Sequence, residues 1–91
     1  MNLDEKEKRI IESLEQFNEQ NPARIVQAAL ALCDDIKDFH KNKSLYINTA
    51  FDILCWLEEK NKVKNINRLP IQATPKNREQ IIKASQWVII K

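Results

Sequence analysis

A catalytic or metal site could be assembled on paper from Cys33, the single histidine His40, Cys55 and the carboxylates Asp34, Asp35 and Asp38. Cys33 and His40 are seven positions apart, so on one helix they would return to the same face as a thiol–imidazole pair. The same periodicity points Cys33 into an apolar face, where burial raises a thiol's pKa and leaves it inert. A metal site built from these groups lacks the paired CxxC or HxxxH spacings of structural zinc. The three aspartates read better as the solvated side of a helix, with Asp34–Lys37 and Asp38–Lys41 as local ion pairs. The chain contains no glycine, and that removes the GxGxxG fingerprint, the P-loop and the nucleophile elbow together. The expectation is a protein that is not an enzyme and takes no metal and no cofactor.

Charge is distributed unevenly. Residues 1–60 hold eight Lys and Arg against twelve Asp and Glu, a net −4, whereas residues 61–91 hold seven against Glu79 alone, a net +6. Such asymmetry implies either an acidic partner for the basic end or docking of that end against acidic helices of its own chain. Lys83, Trp87 and Lys91 recur every four residues and would share one helical stripe. An indole between two ammonium groups can stack on a base or an apolar side chain while the lysines meet phosphates or carboxylates. The alternative places Trp87 in the core with lysine stems lying over it. The candidate partner-binding residues are Lys62, Lys64, Arg68, Arg78, Lys83, Trp87, Ile90 and Lys91.

The elements that must position these residues centre on Leu45 to Glu59. Ile47, Ala50, Phe51 and Leu54 form an apolar stripe, and Ile53 through Leu57 are apolar without a break, so this helix needs neighbours on more than one side. A first helix over about 3–17 is capped by Asn2 or Asp4 and faces inward through Ile10, Ile11, Leu14 and Phe17. Asn21-Pro22 reads as a cap plus first-turn proline opening a second helix over about 22–39, where Ala28, Ala29 and Ala31 allow close approach. Residues 60–73 carry Val63, Ile66, Leu69 and Ile71 too irregularly for a strand, and Pro70 interrupts them. Thr74-Pro75 repeats the start signal for a last helix over about 75–90, although Val88, Ile89 and Ile90 are β-branched and weaken it. With no glycine, Asn18, Asn42 and Asn61 stand where helices should end. The fold expected is all-α: one domain, a small four-helix bundle with an irregular connector before the last helix.

Ninety-one residues make one small domain, too small to spare much core for an internal ligand cavity. The longest apolar run, Ala28 to Cys33, is too short to span a bilayer, and the charged start does not resemble a signal peptide, so a cytoplasmic protein with two free thiols is expected. The abundance of Asn, Lys and Ile fits an AT-rich genome, as in a low-GC bacterium, a phage or some protists. A helix-turn-helix around His40 is disfavoured because the helix after it is the most apolar in the chain. A winged-helix arrangement would need a hairpin from residues 62–73, where glycine is lacking and a proline intrudes. The function expected is that of a small interaction module, a regulator, inhibitor or accessory subunit that binds another protein and could self-associate. The rival is a nucleic-acid-binding protein that uses the basic end for phosphate contacts. In length and helix plan the chain resembles small bacterial immunity proteins and phage-encoded inhibitors, a likeness that no residue motif carries.

Overall fold

A computed structural model describes residues 2–91. The elements in order are α1 (Leu3–Leu14), β1 (Ala23–Arg24), α2 (Ile25–Ala31), α3 (Ile36–Lys41), α4 (Lys43–Glu59), β2 (Val63–Asn65), α5 (Arg78–Ala84) and β3 (Gln86–Ile89). The three strands form an antiparallel sheet in the order β1-β3-β2. The fold is therefore mixed α and β, and the expectation of an all-α bundle is wrong. The likeness in helix plan to small bacterial immunity proteins and phage-encoded inhibitors loses its basis with it.

Each departure has a local cause. Of the helix expected over 75–90, only Arg78–Ala84 forms; Ser85 leaves helical geometry at φ −62°, ψ 138°, and Gln86–Ile89 is a strand. The β-branched Val88 and Ile89 suit a pleated, buried surface better than a helix. Pro22 leads into β1 instead of opening a helix, because Ala23 pairs with Trp87. The helix expected over 22–39 also breaks at Asp34-Asp35. Asp35 caps α3 by accepting the Lys37 N–H at 3.0 Å, and Asp34 reaches Arg9 on α1 at 2.7 Å. Short acidic side chains compete for backbone in this way and favour a helix start over a helix interior. The local pairs expected for these aspartates are absent: Asp38 instead accepts from Asn42 Nδ2 at 2.9 Å and from the Tyr46 phenol. Cys33 consequently lies in the break between α2 and α3 while His40 is on α3, so the two do not share a helix face.

α1 and α4 follow the sequence closely. Asn2 accepts the Glu5 N–H at 2.8 Å, and Asp4 and Glu5 sit in the first turn where the helix dipole favours anions. Ile10 and Leu14 on its inner face are fully buried. α4 ends on Asn61, whose φ is 60°. Lys62 N–H reaches the Leu57 carbonyl at 3.0 Å and Asn61 N–H the Glu58 carbonyl at 3.0 Å, the paired bonds of a Schellman ending with asparagine in the place usually held by glycine. α4 is not enclosed on every side, since Leu45 remains 66% and Trp56 44% exposed.

The core is shared by helices and sheet. Ala28 and Ala29 bring α2 close against α4, and Ile10, Leu14, Leu54, Leu57 and Val63 share one buried cluster with Trp87. Trp87 is completely buried and meets Phe51 edge-on, with ring centroids 6.0 Å apart. Residues 62–73 form no hairpin, in keeping with the lack of glycine and with Pro70: only Val63–Asn65 there is a strand. It pairs with β3 across the long connection of residues 66–85, which holds α5.

Candidate binding groove

The first two turns of α4 and the side of α5 that carries Arg78 and Ile82 bound an open groove of about 540 Å³. Lys43, Ser44, Ile47 and Asn48 line it from α4, at the one-, three- and four-residue steps that share a helix face. Opposite them stand Arg78, Glu79, Ile82 and Lys83, with Pro75 ahead of α5. The turn before α5 is fixed by Asn77, whose side chain accepts the Thr74 N–H at 2.7 Å while Arg78 N–H reaches the Thr74 carbonyl at 3.0 Å. Ile47 and Ile82 give the groove an apolar floor, and charged groups surround it. Arg78 spans the two helices, reaching Asp52 on α4 at 3.0 Å with its guanidinium over the Phe51 ring at 5.4 Å. Lys83 pairs with Glu79 along α5 at 2.9 Å. Lys43 has no ion pair among the described residues.

The eight residues singled out from sequence do not form one surface. Arg78 and Lys83 meet at this groove. Lys64, Ile90 and Lys91 meet instead at a second cleft of about 350 Å³, with Phe17, Asn18 and Glu19 on its far wall. Arg68 lies on the connection and pairs with Glu58, which also accepts the Asn65 N–H at 3.0 Å. Lys62 is exposed and gives its carbonyl to the Ile90 N–H at 3.0 Å. Trp87, expected beside Lys83 and Lys91 on a helical stripe, is in the core because its segment is a strand, and it can touch no partner. Three basic side chains dock on the acidic portion of the chain: Lys64 on Glu19 at 2.7 Å, Arg68 on Glu58, and Arg78 on Asp52. Much of the charge asymmetry is thus met internally. Sequence reasoning missed Lys43, Ser44 and Asn48. The signal is the polar gap in the α4 pattern at 43, 44, 48 and 52, which marks an open side of the helix.

Titration behaviour is perturbed away from the groove. The Tyr46 phenol is held well above its ordinary value, chiefly by the hydrogen bond it donates to Asp38 and then by desolvation. Burial pushes the Cys55 thiol up, helped by the neighbouring Glu58 and Asp52. Both cysteines are free and half-buried. Lys64 holds the Glu19 carboxyl below the usual range through their hydrogen bond and charge. Among the described residues there is no group of three or more His, Cys, Asp or Glu placed to hold a metal ion, and no helix long and apolar enough to cross a membrane. The chain matches no family of known proteins, no curated protein and no solved structure.

Proposed function

We propose that this chain is a non-enzymatic interaction module of the cytoplasm, a regulator or accessory subunit that binds another protein through the α4–α5 groove. The observation that carries this reading is the apolar floor of Ile47 and Ile82 inside a rim of Lys43, Arg78 and Lys83. Protein interfaces have this anatomy, an apolar centre that holds an anchoring side chain and a polar margin that sets register. A groove of about 540 Å³ accommodates one or two such anchors. The test is retention of a partner by the intact protein and by two groove variants, Asn48→Arg and Lys83→Glu. A partner kept by the intact protein and lost by both folded variants supports the groove; equal retention removes it.

The second reading is nucleic-acid binding, favoured by the basic side chains of Lys43 on α4 and of Arg78 and Lys83 on α5 around one groove. Fluorescence anisotropy with labelled single- and double-stranded DNA and RNA, at low and near-physiological salt, separates the readings. Phosphate contacts appear as a linear fall of log affinity with log salt, and Lys43→Glu reduces the slope by about one contact. Absence of binding at low salt removes this reading and leaves the first.

A further inference from the structure

The connection of residues 66–77 differs from the others in the chain. After α1 the chain is tied by the bridge between Asn18 and Asn21, and between α2 and α3 by Asp34 on Arg9 and the Asp35 cap. Residues 66–77 are tied only towards their ends. On one side Ile66 N–H reaches the Gln86 carbonyl at 2.8 Å, Asn67 Nδ2 donates to the Ala84 carbonyl at 2.7 Å, and Arg68 pairs with Glu58. On the other, Asn77 accepts the Thr74 N–H at 2.7 Å and donates through Nδ2 to the Gln72 carbonyl at 2.8 Å. That carbonyl is the one backbone group of residues 68–73 with a hydrogen-bond partner among the described residues. Pro70 to Lys76 are exposed throughout, and Ile71 is 44% exposed. Residues 69–75 carry no charge in a chain that is 31% charged, so no phosphate or acidic surface is their natural partner.

An endopeptidase binds its substrate as an extended strand whose backbone pairs with its own, so it needs exposed chain with free amide groups. Within the segment the choice of bond is narrow. Proline after a scissile bond has no N–H and its ring crowds the attack, which excludes Leu69–Pro70 and Thr74–Pro75. Proline before the bond likewise offers a ring in place of a side chain, and Arg68 is held by Glu58. Asn77 holds the carbonyl of Gln72–Ala73 and the N–H of Ala73–Thr74. At Ile71–Gln72 both the carbonyl and the N–H are free, and an exposed aliphatic side chain stands before the bond. We propose that Ile71–Gln72 is a processing site for an endopeptidase that takes an aliphatic residue before the cut, and that the cut chain stays folded as two associated pieces. Water adds across the bond. Its oxygen joins the Ile71 carbonyl carbon, the C–N bond breaks, and the displaced nitrogen takes a proton to become the amine of Gln72. The smaller piece, from Gln72 on, carries α5 and β3; Trp87 and Ile82 keep it in the core, and β3 stays bonded to both other strands. The α4–α5 groove then has Lys43 to Asn48 on one piece and Arg78 to Lys83 on the other. Release of the smaller piece dismantles sheet and groove together, whatever the groove binds.

The test is digestion of the folded full chain with a trace of proteinase K, which cuts after aliphatic residues, followed by mass spectrometry of the pieces. The expected first cut is at Ile71–Gln72, and the two pieces elute together with an unchanged far-ultraviolet circular dichroism spectrum. Their melting temperature becomes concentration-dependent, because folding has become association. Gln72→Pro places a proline after the bond where the N–H had no partner, so it slows the cut at least about tenfold and leaves the melting temperature of the uncut chain in place. If that variant unfolds, the order of cuts in the unaltered chain decides. The proposal is overturned by a first cut in residues 15–22, 32–35 or 60–62, or by pieces that separate as soon as they form. A cutting rate that rises in step with global unfolding in dilute urea overturns it too, since the site would then be closed in the folded chain. Trypsin cutting after Arg68 as fast as proteinase K cuts after Ile71 overturns the aliphatic specificity.

Discussion

Replacing Trp87 tests the architecture most directly, because its indole has no exposed surface and lies where α1, α4 and the sheet converge. Trp87→Ala deletes the largest fully buried side chain, and truncations of this kind cost about 3–5 kcal/mol. A domain of this size has roughly 5–15 kcal/mol of stability in total. At about 4–8 °C per kcal/mol the melting temperature falls by tens of degrees. Trp87→Phe behaves differently. The indole Nε1 is buried without a hydrogen-bond partner, and an unmet buried donor costs about 1–3 kcal/mol. Phenylalanine removes that donor and keeps a ring against Phe51, so the lost packing is largely offset and the net cost stays below about 2 kcal/mol. Urea unfolding followed by far-ultraviolet circular dichroism measures both variants, with Trp56 left as the reporter for fluorescence. A change within about 0.5 kcal/mol for Trp87→Ala would put the side chain at the surface and refute the strand. A cost for Trp87→Phe equal to that for alanine would show that the indole N–H is satisfied.

Four further outcomes are expected. Glu58→Ala leaves the half-buried Asn65 N–H without its acceptor and releases Arg68; the cost is about 1–2 kcal/mol, with faster amide exchange at Asn65. Asn61→Val places a β-branched residue at φ 60° and costs about 1–2 kcal/mol in denaturant unfolding, whereas Asn61→Gly leaves stability unchanged or slightly raised. Tyr46 ionises above its ordinary value in a spectrophotometric titration, and Asp38→Asn brings it back down. The fold favours the neutral phenol, so the stability it lends is full below pH 10.0 and is lost as the pH rises through its own higher value. Cys55 reacts with iodoacetamide more slowly in the folded chain than in denaturant, because burial keeps it a thiol.

The helices that bury a periodic face were legible. α1 announced itself by Asn2 and the spacing of Ile10 and Leu14, and α4 by its length and by Asn61 at its end. The sheet was not legible, for a physical reason. β1 and β2 have two and three residues, too few for alternation to show, and they are strands only because β3 passes between them. Pairing of Ala23 with Trp87 overrode a helix-start signal at Asn21-Pro22 that is valid locally. The break at Asp34-Asp35 was readable as a cap, but the apolar spacing on either side of it spoke for one continuous helix. At the surface, charge alone identified Arg78 and Lys83, while Lys43 and Asn48 needed the position of α5, which no local pattern gives.

The place of β3 in the sheet has a consequence for how the chain comes to fold during synthesis. β1 and β2 do not touch each other; both bond only to β3, which follows all the other elements in the sequence. As the polypeptide leaves the ribosome, α1, α2 and α4 emerge early and can form their turns within microseconds. The cleft that receives Trp87 stays open meanwhile, with Leu14 and Val63 exposed at its walls. No part of the sheet can nucleate until Gln86 to Ile89 have emerged, so closure is a late, long-range event with the slow kinetics of distant strand pairing. Until then the nascent chain presents apolar surface and two strands without partners, the form in which it is open to chaperones and to aggregation.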